Sequence, residues 1–289
     1  MTAMAGESRS LTPLAGALAA LVGPEIDDER IELARAALTI ARTQYPELEA
    51  ERYLDRLAEL AARVAARLPE DAEPAPTIAA LNTVLFDEEG FRGNEADYYD
   101  PRNSFLNEVL DRKLGIPISL AVVYMEVARQ VGFPLFGVGM PGHFLLKHYD
   151  VEGRETLIDA FHRGRVLTPS QCQQRLDEIY AGQLPLQPEF LVTVSRRQLL
   201  TRMLNNLKAI YLDARNLRKA LPIVDLVLAV YPRSPEDVRQ RALLRYQLGQ
   251  VRGAVEDLED YLKMSPEASD ADEIRQLALS LRRTLALRN

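Results

Sequence analysis

Three residues in the middle of the chain have the types and the order of a nucleophile, a proton acceptor and an orienting acid. Ser119 falls at the start of a predicted helix, His143 at the start of a predicted strand, and Asp159 at the end of the next strand. A nucleophile at a helix N-terminus gains from the positive end of the helix dipole. A histidine can accept its proton, and a carboxylate can fix the tautomer of the imidazole. The order therefore predicts a triad of Ser119, His143 and Asp159.

Each member of this triad also has a plain structural interpretation. Ser119 can cap its own helix, and His143 can be a core histidine bonded to a carbonyl group or to Asp159. Asp159 can also fix the turn that follows it, through residues 161–164. Both interpretations stay open, because the sequence does not show which way these side chains point.

Metal chemistry is a third interpretation, in which His143, His148 and Asp159 bind an ion for hydrolysis. His143 and His148 stand five residues apart on one predicted strand, where residues at odd spacing face opposite sides. The chain has three histidines and one cysteine, Cys172, which excludes a multi-cysteine zinc site. We therefore predict no metal site and no cofactor. We expect Cys172 to be a small buried hydrophobic residue.

The elements that must position the triad come after a helical beginning. Residues 27–68 carry apolar side chains at helical spacing, and Pro46 divides them into two helices. Pro69 opens a proline-rich linker that runs to residue 76. We therefore expect residues 1–76 to form an N-terminal helical segment that packs on the core.

The middle of the chain, residues 77–193, has a mixed pattern. Ser104 is placed to cap a short helix, and a second helix follows Pro117. Short apolar runs at 135–140, 144–149 and 156–160 are separated by glycine-containing turns, which predicts strands. A helix that feeds short antiparallel strands is typical of an α+β fold.

The last part of the chain, residues 194–289, is helical and repetitive. Ala220 corresponds to Ala254 and Pro232 to Pro266, each 34 residues later. Paired helices with this period, small residues at the crossing and a closing proline are typical of tetratricopeptide repeats. Two repeats are visible, and the helix from about residue 274 to 287 is predicted to cap them. An ordinary helical hairpin bundle is the alternative.

Several runs in this chain together resemble one family. They are Leu85–Asn94, Tyr99–Ser104, Gly115–Leu120 and Pro141–Phe144, in this order and before the repeats. In these runs the chain resembles the bacterial SirB family, a papain-like transglutaminase-like core followed by tetratricopeptide repeats; a related module occurs in a eukaryotic F-box protein. The resemblance implies an α+β core over residues 77–193. It also makes Asn94, Asn103, Ser104 and His162 candidates to line the cleft beside His143.

The resemblance also implies that Ser119 occupies the position of the cysteine nucleophile of the thiol enzymes. A thiol at a helix start can ionise near neutral pH, whereas a serine hydroxyl needs a well-placed base. We therefore expect a non-catalytic protein that acts in protein–protein interaction or in peptide binding. Its cleft either binds a peptide-like segment or serves as a scaffold, and its repeats present a groove to a protein partner. The alternative is a serine-dependent hydrolase or acyltransferase that uses Ser119, His143 and Asp159.

Composition and charge exclude further classes of function. The chain has 35 lysines and arginines against 42 acidic residues, a net charge of −7, which argues against a dedicated nucleic-acid binder. Its apolar stretch at residues 11–23 is shorter than the about 20 residues that a membrane span needs. We expect a cytoplasmic protein that binds neither nucleic acid nor membranes.

Overall fold

The computed structural model describes residues 11–69 and 72–287, which divide into two compact units. The core unit contains residues 27–210. The repeat unit contains the described residues 11–26 together with 211–287. These limits differ from the expected segments, which placed all of residues 1–76 with the core and began the repeats at residue 194.

The helices and strands follow the chain in this order. The helices are α1 Pro13–Val22, α2 Leu33–Ala41, α3 Ala50–Ala65, α4 Pro74–Asn82, α5 Leu106–Arg112, α6 Pro117–Gln130, α7 Pro169–Tyr180, α8 Arg196–Asp213, α9 Leu217–Val230, α10 Pro235–Gln247, α11 Val251–Met264 and α12 Ala271–Ala286. The strands are β1 Arg92–Gly93, β2 Leu114–Gly115, β3 Phe136–Val138, β4 Leu145–Tyr149, β5 Glu155–Asp159, β6 Arg165–Leu167 and β7 Thr193–Val194. Within the described residues, no helix combines the length and the apolar composition that a membrane span requires.

Helix α6 is the centre of the core unit. Every residue from Pro117 to Ala128 is buried, as expected for a helix that is apolar on nearly all sides. Helices α2, α3, α4 and α5 pack against it, and β4 contacts it from the sheet. Because α6 is enclosed in this way, its first turn is held rigidly at one fixed place.

The sheet of the core unit has the strand order β6-β5-β4-β3-β7, and every neighbouring pair is antiparallel. The three predicted strands are present as β3, β4 and β5, and the α+β architecture is confirmed. The edge strands β6 and β7 were not predicted, because each has only two or three residues and is defined by its partner strand. Cys172 is fully buried against Val138, Met140 and Leu145, where burial raises the pKa of its thiol.

The prediction that Ser104 caps a helix is wrong. Helix α5 begins at Leu106 with Phe105 in the capping position, because Ser104 still belongs to the 3₁₀ turn Pro101–Asn103. The backbone N–H of Ser104 donates to the carbonyl of Pro101. Its hydroxyl is buried and has no hydrogen-bond partner among the described residues.

The repeat unit has the predicted 34-residue period. Helix α11 begins and ends 34 residues after α9, and the corresponding residues Ala254 and Ala220 are both fully buried. Helix α12 packs on α11 as the predicted cap. Helix α1, whose buried residues are Ala15, Leu18 and Val22, packs against α9 and so belongs to the repeat unit, whereas α2 and α3 pack on the core helix α6. An apolar face of ten residues packs wherever it finds a complementary surface, and its place in the sequence does not decide this.

Candidate functional site

The core unit has an open cleft of about 700 Å³ where five parts of the fold converge. These are the loop before α5, the first turn of α6, the turn before β4, the turn after β5, and the faces of α7 and α8 that meet them. The cleft is lined by Glu95, Tyr98, Tyr99, Ile116, Pro117, Ile118, Gly142, His143, Phe144, Phe161, His162, Arg175, Ile179, Arg202 and Asn206.

Asp159 is the buried centre of the polar cluster beside this cleft. Its Oδ2 lies 2.9 Å from Nε2 of His143 and 2.8 Å from Nδ1 of His162. Its Oδ1 accepts the backbone N–H groups of Phe161 at 3.1 Å and of His162 at 3.2 Å. Burial by itself would raise the pKa of Asp159, but the hydrogen bonds from His143 and His162 outweigh it and hold the pKa below its usual value. Asp159 therefore orients two imidazoles and also fixes the turn after β5.

This geometry determines which nitrogen of His143 is available to a ligand. An ionised carboxylate can only accept hydrogen bonds, so the Nε2 that faces Asp159 carries a proton. In the neutral ring, Nδ1 can then accept a hydrogen bond. His143 is one of the residues that line the cleft. The pair has the orientation that a general base requires.

Ser119 is not brought to this pair. The residue is fully buried, and its Oγ–H donates to the carbonyl of Asn103 at 2.6 Å. The same oxygen accepts the backbone N–H of Ile116 at 3.0 Å. Ile116, Pro117 and Ile118 line the cleft, whereas Ser119 is not among the lining residues and its hydroxyl caps the first turn of the helix. The structure joins two members of the predicted triad and leaves the third outside.

The candidate loop residues are divided in the same way. His162 lines the cleft, as predicted, but Asn94, Asn103 and Ser104 do not. Nδ2 of Asn94 donates to Oδ1 of Asn103 at 3.0 Å, and Nδ2 of Asn103 donates to the carbonyl of Asp97 at 2.7 Å. These amides hold the loop shape from inside, which is a common use of short polar side chains.

His148 lies in β4, whereas His143 precedes that strand, so the spacing argument made for two residues of one strand does not apply to them. The ring of His148 stacks on Phe133, with centroids 4.0 Å apart, and its Nδ1 bonds to the carbonyl of Pro134. The sequence analysis missed a different group, since ligand atoms of His143, Asp159 and His162 lie within 4.8 Å of one another, a spacing that a metal ion could use. The three hydrogen-bonded residues already account for their own arrangement.

Sequence reasoning also missed Arg202, a partly buried residue of α8 that lines the cleft. Its Nη2 donates to the carbonyls of Met140 at 3.1 Å and of His143 at 2.8 Å, and its guanidinium lies over the Phe144 ring. Burial lowers the pKa of this guanidinium. No local pattern could have indicated it, because it follows His143 by 59 residues and belongs to a helix in another part of the chain.

Comparison with known proteins follows the same division of the chain. A family model of the transglutaminase-like superfamily matches residues 51–205, and a tetratricopeptide repeat model matches residues 207–278. The chain belongs to the transglutaminase-like superfamily. A transglutaminase-like core followed by tetratricopeptide repeats suggests a role in protein interaction.

Relatives of this transglutaminase-like chain confirm the resemblance to the SirB family. A UPF0162 protein of Xylella fastidiosa (strain Temecula1) is 37% identical over 253 residues, which cover 86% of this chain and 90% of the relative. Protein SirB1 of Salmonella typhimurium is 26% identical over 222 residues, or 77% of this chain and 81% of that protein. F-box only protein 21 of Mus musculus is 36% identical over 183 residues, 59% of this chain but 28% of that protein. Among solved structures, menin gives a TM-score of 0.39 at 10% identity, over 92% of this chain and 72% of menin, too weak a likeness to support an inference.

Proposed function

We propose that this transglutaminase-like chain is a non-catalytic binding protein, whose cleft holds a peptide-like segment and whose repeat unit contacts a protein partner. The observation that supports this proposal is the composition of the cleft wall. Among the described residues that line it, none is a serine, a threonine or a cysteine. An acyl-transfer site needs such a nucleophile within reach of its base.

The residues that could replace a nucleophile are held elsewhere. The hydroxyl of Ser119 donates to the Asn103 carbonyl and lies on the buried side of α6. Cys172 is buried in the sheet core, where the raised pKa of its thiol disfavours the reactive thiolate. The His143–Asp159 pair then provides a hydrogen-bonding group for a bound ligand rather than a base for a nucleophile.

The repeat unit offers a separate surface for a partner. A groove of about 800 Å³ lies within it, lined by residues of α1, α9, α10 and α11. Tetratricopeptide repeats use surfaces between their helices to hold segments of other proteins. We propose a protein partner for this groove and a peptide-like ligand for the cleft.

A serine-dependent hydrolase or acyltransferase is the second candidate, and one observation favours it. His143 and Asp159 keep the 2.9 Å contact that orients a general base. To use it, the Ser119 side chain would have to leave both of its backbone partners and reach the cleft, which it does not line. The second candidate therefore requires a conformational change that the proposed binding function does not.

The test uses the full-length chain with two measurements. Ester and peptide substrates and a serine-directed fluorophosphonate probe measure turnover and labelling, and an immobilised peptide library measures binding. We expect no turnover above background, and binding of a subset of peptides. Tyr99→Ala removes an exposed ring of the cleft and should weaken this binding. Tyr149→Ala removes an exposed ring elsewhere in the core unit and should leave it unchanged.

Two results would contradict the proposal. Turnover that both Ser119→Ala and His143→Ala abolish would establish the hydrolase or acyltransferase. Absence of peptide binding, or binding that Tyr99→Ala and Tyr149→Ala weaken equally, would remove the cleft as a peptide site.

A further inference from the structure

The cleft wall contains an arginine, Arg202, whose positive charge is not paired with a carboxylate of the described residues. Arg202 directs its Nη2 to two neutral backbone carbonyls, of Met140 and His143. Among the described residues, no carboxylate forms an ion pair with it. A charge held away from water without a counter-ion is unfavourable, and an anionic ligand would offset that cost.

A second arginine of the cleft wall has a donor without a hydrogen-bond partner among the described residues. Arg175 of α7 lines the cleft, and its Nη1 donates to Glu178 at 2.5 Å. Its Nε is buried and has no hydrogen-bond partner within the described part of the chain. Buried donors are almost always paired in folded proteins, so the donors of this guanidinium are not all satisfied within the described residues.

The first turn of α6 adds to the same preference. Ile116, Pro117 and Ile118 line the cleft, so the N-terminus of this 14-residue helix opens into it. The unpaired N–H groups and the helix dipole favour negative charge at such an end. Two arginines and a helix terminus from three separate elements therefore face one cavity.

We infer that the cleft selects ligands with a free carboxylate group, such as the C-terminal end of a peptide chain, and that Arg202 and Arg175 receive it. This inference rests on the proposed function, in which the cleft takes a peptide-like segment. Arginine is suited to this task because its planar fork matches the geometry of a carboxylate.

A carboxylate fits this cleft better than a phosphate group does. Glu95 lines the same cavity, and its negative charge repels a dianion more strongly than a monoanion. A peptide also carries backbone N–H groups that the Glu95 carboxylate can accept. The rings of Tyr98, Phe144 and Phe161 in the wall provide an apolar surface for the side chain beside the carboxylate.

The test compares two probes that differ in one group. Acetyl-alanyl-alanyl-phenylalanine, with a free carboxylate, and its C-terminal amide are titrated into the ¹⁵N-labelled full-length chain up to millimolar concentration. Binding is followed by the arginine side-chain resonances. We expect the acid to bind at least about tenfold tighter than the amide, because charge-assisted hydrogen bonds are roughly twice as strong as neutral ones.

Variants assign this preference to named side chains. Arg202→Gln should reduce the ratio of acid to amide affinity to within about twofold, and Arg175→Gln should reduce it part of the way. Arg196→Gln is the matched control, since Arg196 lies on the same helix and its Nη1 donates to the carbonyls of Glu29 and Ile31, away from the cleft. It should lose a similar amount of stability and keep the full preference.

The outcomes distinguish this inference from the proposed function. Equal affinity for acid and amide, or a preference that survives both Arg202→Gln and Arg175→Gln, overturns the inference even if library peptides bind. If the free acid binds through Arg202 while longer peptides do not, the inference holds and the proposed function fails. If neither the probes nor the library bind, both are wrong.

Discussion

Two arginines, one in each unit, show opposite ways of placing a positive charge away from water. Arg241 of α10 contacts Asp257 through Nε at 2.9 Å and Nη2 at 2.8 Å, and Asp225 through Nη1 at 3.1 Å. Burial would lower the pKa of its guanidinium, but these two carboxylates outweigh burial and raise it. Arg202 of α8 contacts backbone carbonyls, and burial lowers its pKa.

The difference between the two arginines shows in which unit the buried charges are balanced by partners within the chain. Asp225, Arg241 and Asp257 belong to α9, α10 and α11, so their ion pairs tie the repeat helices together. Arg245 contacts Asp257 at 2.8 Å and closes the network. In the core unit, the guanidinium of Arg202 lines an open cleft and bonds to carbonyl groups instead of carboxylates. A balanced cluster stabilises a fold, whereas an unbalanced one favours a ligand of opposite charge.

The largest expected effect comes from removing the balanced arginine. Arg241→Gln should lower the free energy of unfolding by about 3–5 kcal/mol, because it leaves buried carboxylates without their main partner. Arg202→Gln should cost about 1–2 kcal/mol, because it weakens hydrogen bonds to carbonyls and strands no charge. Urea unfolding followed by circular dichroism measures both values. Equal costs would show that the two arginines do not differ in the proposed way.

Asp159 differs from both arginines, because it is a buried acid whose side-chain partners are the imidazoles of His143 and His162. Asp159→Asn should cost about 1–3 kcal/mol at pH 7, since an amide that turns its oxygen to the two rings presents its own N–H₂ to the backbone N–H groups of Phe161 and His162. Asp87→Asn is the control, because the exposed pair of Asp87 with Arg163 should be worth no more than about 0.5 kcal/mol. A cost for Asp159→Asn no larger than this control would contradict the central role of the carboxylate.

The same variant makes a prediction about pH. The pKa of Asp159 is lower in the folded chain than the about 3.9 of an unfolded aspartate, so the unfolded chain binds the proton first as pH falls. The stabilisation is therefore complete above about pH 5 and is lost progressively below about pH 4. The free energies of unfolding of the original chain and of Asp159→Asn should converge in that acidic range. A difference that stays constant with pH would contradict a stabilising role for the ionised carboxylate.

Two buried serines near α6 provide a smaller and sharper comparison. Ser119→Ala should cost about 1 kcal/mol, because it removes the bonds to Asn103 and Ile116. Ser104→Ala should be neutral or slightly stabilising, because the Ser104 hydroxyl has no partner among the described residues. Thermal unfolding measures the pair. Peptide binding should be the same in both variants, and a selective loss with Ser119→Ala would show that this hydroxyl contributes to the cleft.

The smallest effect is expected at Glu126, a buried acid of α6 with a weak partner, Arg129 at 3.3 Å. Burial raises the pKa of Glu126, so its contribution to stability is complete below the unfolded value near 4.3 and is lost as pH rises through the folded value. Glu126→Gln should therefore raise the melting temperature at pH 7 and have less effect at pH 4. Glu59→Gln, at an exposed position, is the control and should change the melting temperature at neither pH. A lower melting temperature for Glu126→Gln at pH 7 would contradict the prediction that this charge is destabilising.

Much of the fold was accessible from local patterns. The helical spacing around Pro46, the apolar runs of β3, β4 and β5, and the 34-residue period each depend on neighbours in sequence, and each is present. The sequence also indicated that His143 and Asp159 lie next to neighbouring strands, because His143 comes just before β4 and Asp159 ends β5. Edge strands of two or three residues and the packing of α1 on α9 were not, because they depend on surfaces far away in the chain.

Local patterns along the chain were sufficient to assign the superfamily, the order of the elements and the residue types available for chemistry. The folded chain was needed to show that the Ser119 hydroxyl caps its helix, and that Arg202, 59 residues beyond His143, joins the cleft with no carboxylate partner among the described residues. Periodicity shows which face of an element is apolar. The direction of one polar side chain depends on which partner the assembled fold brings within hydrogen-bonding distance.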